Sequence, residues 1–237
     1  MDCTGQINLL VPMPHLLLIN PNTSAGVTAL LARHAEALAP PGGRLTAVTA
    51  PFGEPYLASE AAAAIAERAV PAAWAAHRVA AAPLPDAVLV ACFGDPGVAA
   101  LRAMTAVPVL GLAEVAMRAA AVHGRYAVVT GGAAWGPMLE RLAASLGLAE
   151  GLAGVVTVER SGAELLADPV AAQALLLDAC HQALALGGVR AIVIGGAALA
   201  DLAAPLAPQL PVPLIDNVRV GLQAAWDAAA GVRNVLD

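Results

Sequence analysis

Ala87-Val88-Leu89-Val90-Ala91-Cys92 and Ala191-Ile192-Val193-Ile194-Gly195-Gly196 are two uninterrupted apolar runs of the same length, and reading them together decides the fold. Strands of a parallel sheet, covered by helices on both faces, read as continuous apolar stretches rather than alternating ones. Working outward, Leu16-Leu17-Leu18-Ile19-Asn20 matches Tyr126-Ala127-Val128-Val129-Thr130, and Val107-Pro108-Val109-Leu110 matches Val212-Pro213-Leu214-Ile215. All three pairs keep nearly the same order, at offsets of roughly 104 to 110 residues. One matched strand means little, because buried strands resemble each other. Three in register predict an internal repeat.

The remaining chain fits this frame. Strands are predicted at 15–20, 44–50, 87–93, 107–112, 126–131, 154–159, 191–196 and 212–217, with helical patterns at 25–38, 59–79, 170–186 and 218–229. Pro71 is expected to kink or split the second of these helices. Strands alternating with helices indicate βαβ units. The fold expected is α/β, in two pseudo-symmetric Rossmann-like halves with mostly parallel sheets and a site in the cleft between them. The division expected is a tail over 1–14, a first half of 15–111 joined by 212–237, and a second half of 112–211.

Composition narrows the function. At 237 residues and 59% hydrophobic, the chain can bury a large core, and with only 3% aromatics that core is mostly Ala, Leu and Val. A net charge of −6 without a basic stripe argues against nucleic acid as a partner. Apolar runs such as 191–200 fall far short of the roughly 20 residues that span a bilayer, so no membrane partner is expected. The leader has Asp2 and no basic region, unlike a signal peptide. Cys3, Cys92 and Cys180 are an odd, scattered set, which suits a reducing cytoplasm better than a disulfide framework.

Ligands of open parallel sheets sit beyond the carboxyl ends of the strands. Asn20, Cys92, Thr130 and Gly196 hold those places and are expected to converge on one cleft. Cys92 is the foremost candidate for chemistry. It precedes Phe93-Gly94-Asp95-Pro96-Gly97, in which Asp95 reads as a helix N-cap and Pro96 as a first helical residue. A helix N-terminus beside the thiol favours thiolate, and its N–H groups can hold a carboxylate or enolate oxygen. The competing reading is a buried structural cysteine. Thr130-Gly131-Gly132 forms a small polar turn in the matching place. Tyr56 and Ser59 stand in a connection placed to reach over the cleft, with packing and helix capping as their alternative roles. Cys180 falls inside a helical pattern and reads as core. The five histidines lack metal-ligand spacing, and no GxGxxG or GxxxxGK[ST] is present, so neither a metal nor a nucleotide cofactor is expected.

Ile19-Asn20-Pro21-Asn22-Thr23-Ser24, Ala91-Cys92-Phe93-Gly94-Asp95-Pro96-Gly97, Val128-Val129-Thr130-Gly131 and Pro213-Leu214-Ile215-Asp216 together resemble the hydantoin and allantoin racemases of the aspartate/glutamate/hydantoin racemase superfamily. The resemblance runs over nearly the whole chain after Pro14. It implies an enzyme without cofactors, in which one cysteine thiolate removes a proton beside a carbonyl and a second thiol supplies one from the opposite face. The implied substrate is a small carboxylate or hydantoin-like molecule, and a homo-oligomer is left open. By position, Cys92 is the first-half cysteine. Asn20, Thr130 and the backbones of Phe93 and Gly94 match substrate-holding places, joined on the other side by Gly131, Gly196 and Ala197.

The second cysteine belongs in a Gly-Cys-Ala-Gly segment, and here that segment reads Gly195-Gly196-Ala197-Ala198. The internal repeat independently pairs Cys92 with Gly196. Three readings follow. One is a racemase or isomerase in which water or another group replaces the second thiol. Another resembles the arylmalonate decarboxylases, which keep one cysteine because loss of CO₂ generates the enolate. Their cysteine lies in the other half, so this chain would be a mirror arrangement. The third is a binding protein for a small carboxylate.

Overall fold

The computed structural model describes residues 13–80, 83–160 and 162–232, so the early tail with Cys3 lies outside the described residues. In chain order the elements are β1 (His15–Asn20), α1 (Ala25–Ala37), β2 (Arg44–Thr49), α2 (Glu60–Val79), β3 (Ala87–Val90), α3 (Val98–Met104), β4 (Val109–Gly111) and α4 (Leu112–Ala121). There follow β5 (Tyr126–Gly131), α5 (Trp135–Ser145), β6 (Leu152–Val158), α6 (Gly162–Ala167), α7 (Pro169–Ala185), β7 (Ala191–Gly195), α8 (Ala203–Leu206), β8 (Leu214–Asp216) and α9 (Asn217–Ala229).

Two four-stranded sheets, ordered β2-β1-β3-β4 and β6-β5-β7-β8, repeat one topology with every described pairing parallel. The apolar runs are buried on both faces, as the fold class requires. Leu17, Ile19, Val88 and Val90 pack towards α2 and α3 with Val70, Trp74 and Leu101. Leu16, Leu18, Ala87 and Leu89 pack on the other face with α1 and α9. Each fully buried Leu or Ile in these layers contributes roughly 1.5–3 kcal/mol.

The two sheets are joined by an exchange of helices. α4, which follows the edge strand of the first sheet, places Ala113, Ala116, Met117 and Ala120 among Tyr126, Val128, Ala191 and Val193 of the second. α9, which follows the matching edge strand of the second sheet, places Val218, Leu222, Ala225 and Trp226 on β1 and β3 of the first. The two helices cross closely: a Cβ on Gly221 would collide with Leu112.

The structure differs from the sequence reading in several places. β8 pairs with β7 and so extends the second sheet, whereas 212–237 was expected wholly in the first half. The reason is the repeat itself: β8 is the counterpart of β4, and only the helix after it crosses over. Pro71 does not split α2, which runs unbroken over Glu60–Val79 with Val70, Ala73 and Trp74 buried around it. Packing of that face offsets the lost hydrogen bond. His15 and His77 are both buried, with ring centroids 6.4 Å apart, where β1 begins and thus at the opposite end from Asn20.

Among the described residues no helix is long and apolar enough to cross a membrane, and no group of three or more His, Cys, Asp or Glu is placed to hold a metal.

Trp226 anchors the returning helix. It is 1% exposed, and its indole Nε1–H donates to the carbonyl of Ala35 in the last turn of α1 (2.9 Å). Trp226→Ala is expected to cost about 3–5 kcal/mol, as large aromatic truncations in a core do. Urea denaturation of the variant beside the native protein measures the loss.

Candidate active site

The carboxyl ends of β1, β3, β5 and β7 open onto a cavity of about 80 Å³. Its lining includes Asn22, Tyr56, Cys92, Phe93, Thr130, Gly131, Gly196 and Ala197, so both sheets contribute. Gly195 and Ala198 also line it, as do Val27, Leu57, Trp135 and Leu199, which sequence reasoning did not place there. Among the described lining residues no side chain carries a formal charge.

Cys92 sits two residues beyond β3 and is 8% exposed, in a small cluster with Leu57, Ala66 and the partly buried Trp135. Burial first, and the neighbouring Asp95 second, push its thiol up to about 12. Both act against the thiolate, contrary to the expected thiolate-favouring position. The expected helix start beside the thiol is also absent. Asp95 does not cap α3, and Pro96 is not helical; α3 begins at Val98 behind Gly97, which has a left-handed backbone and makes no side-chain cap.

Asp95, at φ +53°, instead sends its carboxylate to the start of α4. There Oδ1 accepts from Ala113 N–H (2.9 Å) and Oδ2 from Glu114 N–H (2.7 Å). The carboxylate lies so close over Gly111 that a Cβ there would collide with it. Burial pushes the Asp95 carboxyl up to about 7, against the opposing pull of these two hydrogen bonds. The result is a rigid tie from the Cys92 loop to the exchanged helix.

The second side of the cavity is built from backbone. Thr130, 4% exposed, donates its hydroxyl to the carbonyl of Gly195 (2.7 Å), fixing the ends of β5 and β7 together. Gly196 lines the cavity opposite, at φ +138°, and begins a short 3₁₀ turn over Ala197–Leu199. An L-residue rarely adopts that backbone, and a Cβ would stand 3.2 Å from the Leu199 side chain.

Two aromatic contacts clamp the halves across the cleft. The ring of Phe93, from the first half, occupies the place a Cβ on Gly195 would need. The ring of Trp135, from the second, does the same at Gly94, while its Nε1–H donates to the carbonyl of Leu57 (3.0 Å). Each half thus offers a glycine under an aromatic ring of the other.

Three of the four strand-end residues, Cys92, Thr130 and Gly196, meet at this cavity, and Asn20 does not. Asn20 is fully buried, and its Nδ2 donates to Asn22 Oδ1, Ser24 O and Thr28 Oγ1 at 2.8, 3.1 and 3.0 Å. Those bonds shape the loop that brings Asn22 to the lining instead. Ser59 is exposed and caps α2, accepting from Ala62 N–H (3.1 Å). Tyr56 does line the cavity. Gly94 lines a neighbouring pocket rather than this one. Cys180 is fully buried in the core packed around α7, and its thiol is also pushed up to about 12, by burial. The signal for Asn22 was present in the Asn-Pro-Asn motif. Trp135 carried none beyond being a large aromatic among small residues.

Comparison with known proteins agrees with this geometry. The Asp/Glu/Hydantoin racemase family model matches residues 16–225. A hydantoin racemase of Rhizobium meliloti is 32% identical over 218 residues, covering 89% of this chain and 87% of that protein. The solved allantoin racemase from Klebsiella pneumoniae superposes with a TM-score of 0.83 at 31% identity, over 92% of this chain and 89% of that one. Arylmalonate decarboxylase superposes with a TM-score of 0.61 at 20% identity, over 93% and 95% of the two chains, a likeness of fold alone. The chain belongs to the Asp/Glu/hydantoin racemase family and is an isomerase of the racemase kind.

Proposed function

We propose that the protein moves the proton on the carbon beside a carbonyl of a small cyclic ureide of the hydantoin type, with Cys92 as the acid/base group. The observation that carries this reading is Cys92 in a cavity whose lining side chains hold no formal charge. Such a lining suits a neutral ring with amide N–H and C=O groups better than a dicarboxylate. Relatives named for hydantoin and allantoin support the same class.

In this reading the Cys92 thiolate takes the proton from the ring carbon, and the electron pair moves onto the adjacent carbonyl as an enolate. Donors around the cavity, including backbone N–H groups of Phe93 and Ala197, stabilise the enolate oxygen. The ring carbon is then protonated once, in one of two ways. Either the Cys92 thiol returns its proton to the same face, or water admitted beside Gly196, where the resemblance calls for a second thiol, donates to the opposite face. In the second case the hydroxide left behind is neutralised by the Cys92 proton. The odd, scattered cysteines support a reducing, cytoplasmic setting.

Proton exchange at the ring carbon in D₂O, followed by NMR with allantoin, 5-methylhydantoin and 5-benzylhydantoin, tests the reaction. Cys92→Ala is expected to lose about 10²–10⁴-fold in exchange, the usual worth of a positioned acid or base, while Cys180→Ala keeps native rates. If no ureide exchanges above the buffer rate, the substrate class is wrong.

The raised thiol sets a pH dependence. Below a pKa of about 12 the thiolate fraction grows close to tenfold per pH unit. Alkylation of Cys92 by iodoacetamide, in a Cys3→Ser background, should therefore climb steadily from pH 7 to 10. A plateau near pH 8 would mean a far lower pKa.

A single thiol also predicts asymmetry. For one enantiomer, deuterium incorporation should outpace stereochemical inversion, read by chiral chromatography beside NMR. Inversion as fast as exchange from both enantiomers would require a second protein acid. Gly196→Cys is expected to lower Tm rather than restore two-thiol chemistry, because its backbone sits at φ +138°.

A further inference from the structure

Behind Trp135 lies a second pocket, of about 280 Å³, between α2 and α5. Ala63, Pro96, Met138 and Leu142 give it an apolar lining, and the exposed Glu67 and Arg141 add polar groups. Trp135 belongs to the walls of both this pocket and the Cys92 cavity. Its ring is held in place from two directions. Gly94 has no Cβ to push it away, and the carbonyl of Leu57 accepts its indole N–H at 3.0 Å. Among the described residues Trp135 alone borders both spaces.

We propose that Trp135 is the specificity-determining wall of the site. It confines the native protein to substrates with a compact substituent on the reacting carbon, and its removal opens a ready-made pocket for a bulky one. The substituent that fits the enlarged space is a large, mainly apolar group such as benzyl, directed between α2 and α5. This inference rests on the hydantoin-type reading for the identity of the substrate, but not for the position of the wall.

Two measurements separate those parts. The first gauges space beside Cys92 without any substrate: alkylation by iodoacetamide and by the bulkier N-phenyl iodoacetamide, in the Cys3→Ser background with buried Cys180 as internal control. The native protein should favour the small reagent. Trp135→Ala should shrink that preference by about tenfold or more, the scale at which pocket size discriminates. Trp135→Phe keeps an aromatic ring but gives up part of the indole's bulk along with the N–H bond to Leu57, so its ratio should fall between those of the native protein and Trp135→Ala. Trp135→Leu replaces the alanine variant if that one does not fold. Equal changes for both reagents would overturn the wall, since mere loosening of the cleft speeds both alike.

The second measurement is ring-carbon exchange of 5-methylhydantoin against 5-benzylhydantoin. Trp135→Ala should shift the ratio of kcat/KM towards the benzyl compound. A relaxed alkylation ratio with no exchange of either compound would sink the substrate class and leave the wall standing. Native exchange that already favours benzyl, unchanged in the variant, would overturn the wall.

Discussion

The structure depends on the exchange of α4 and α9. Each edge strand ends its own sheet, and the helix after it packs on the other one. Each sheet covers that face only in part from its own half, with α1 on the first and α5 on the second, and the crossing helix supplies the rest. The consequence is a fixed distance between the two sets of strand ends, and so a cleft of defined size. Bringing Cys92 within reach of Gly196 follows from the crossing and not from any contact between those two residues.

Asp95 couples the chemistry to that crossing. Its carboxylate satisfies two of the N–H groups at the start of α4 that no helix can satisfy internally. A charge there is also favoured by the helix dipole, which partly offsets the cost of burial. The same charge lies near the Cys92 thiol and raises it further. The residue that locks the loop in place thus works against the thiolate, and the two demands meet at one carboxylate.

Much of this was legible in the sequence because burial on both faces of a sheet leaves a strong mark. The three paired runs gave the repeat, the strand ends and Cys92. What the sequence hid were contacts made across the repeat. Asp95-Pro96 reads locally as a helix start, and only the nearness of α4 explains why its carboxylate goes elsewhere. Asn20 and Ser59 read as site residues by position, yet their side chains are spent on local hydrogen bonds. Trp135 had no motif, since its partners, Gly94 and Leu57, are distant in the chain. The closing strand was misplaced because a three-residue edge strand carries no mark of which sheet it joins.

At Gly196 the backbone itself, and not only the absence of a side chain, sets what the second half offers. At φ +138°, Gly196 has a backbone that a cysteine could hold only under strain, and the chain turns at once into a 3₁₀ turn with Leu199 beneath the Cα. On this side the wall includes Gly131, Gly196, Ala197 and Thr130, whose hydroxyl is already committed to Gly195. It offers room and backbone where a base would stand. The two sides of the cavity therefore differ in kind: one presents the Cys92 thiol, and the other presents backbone and small side chains.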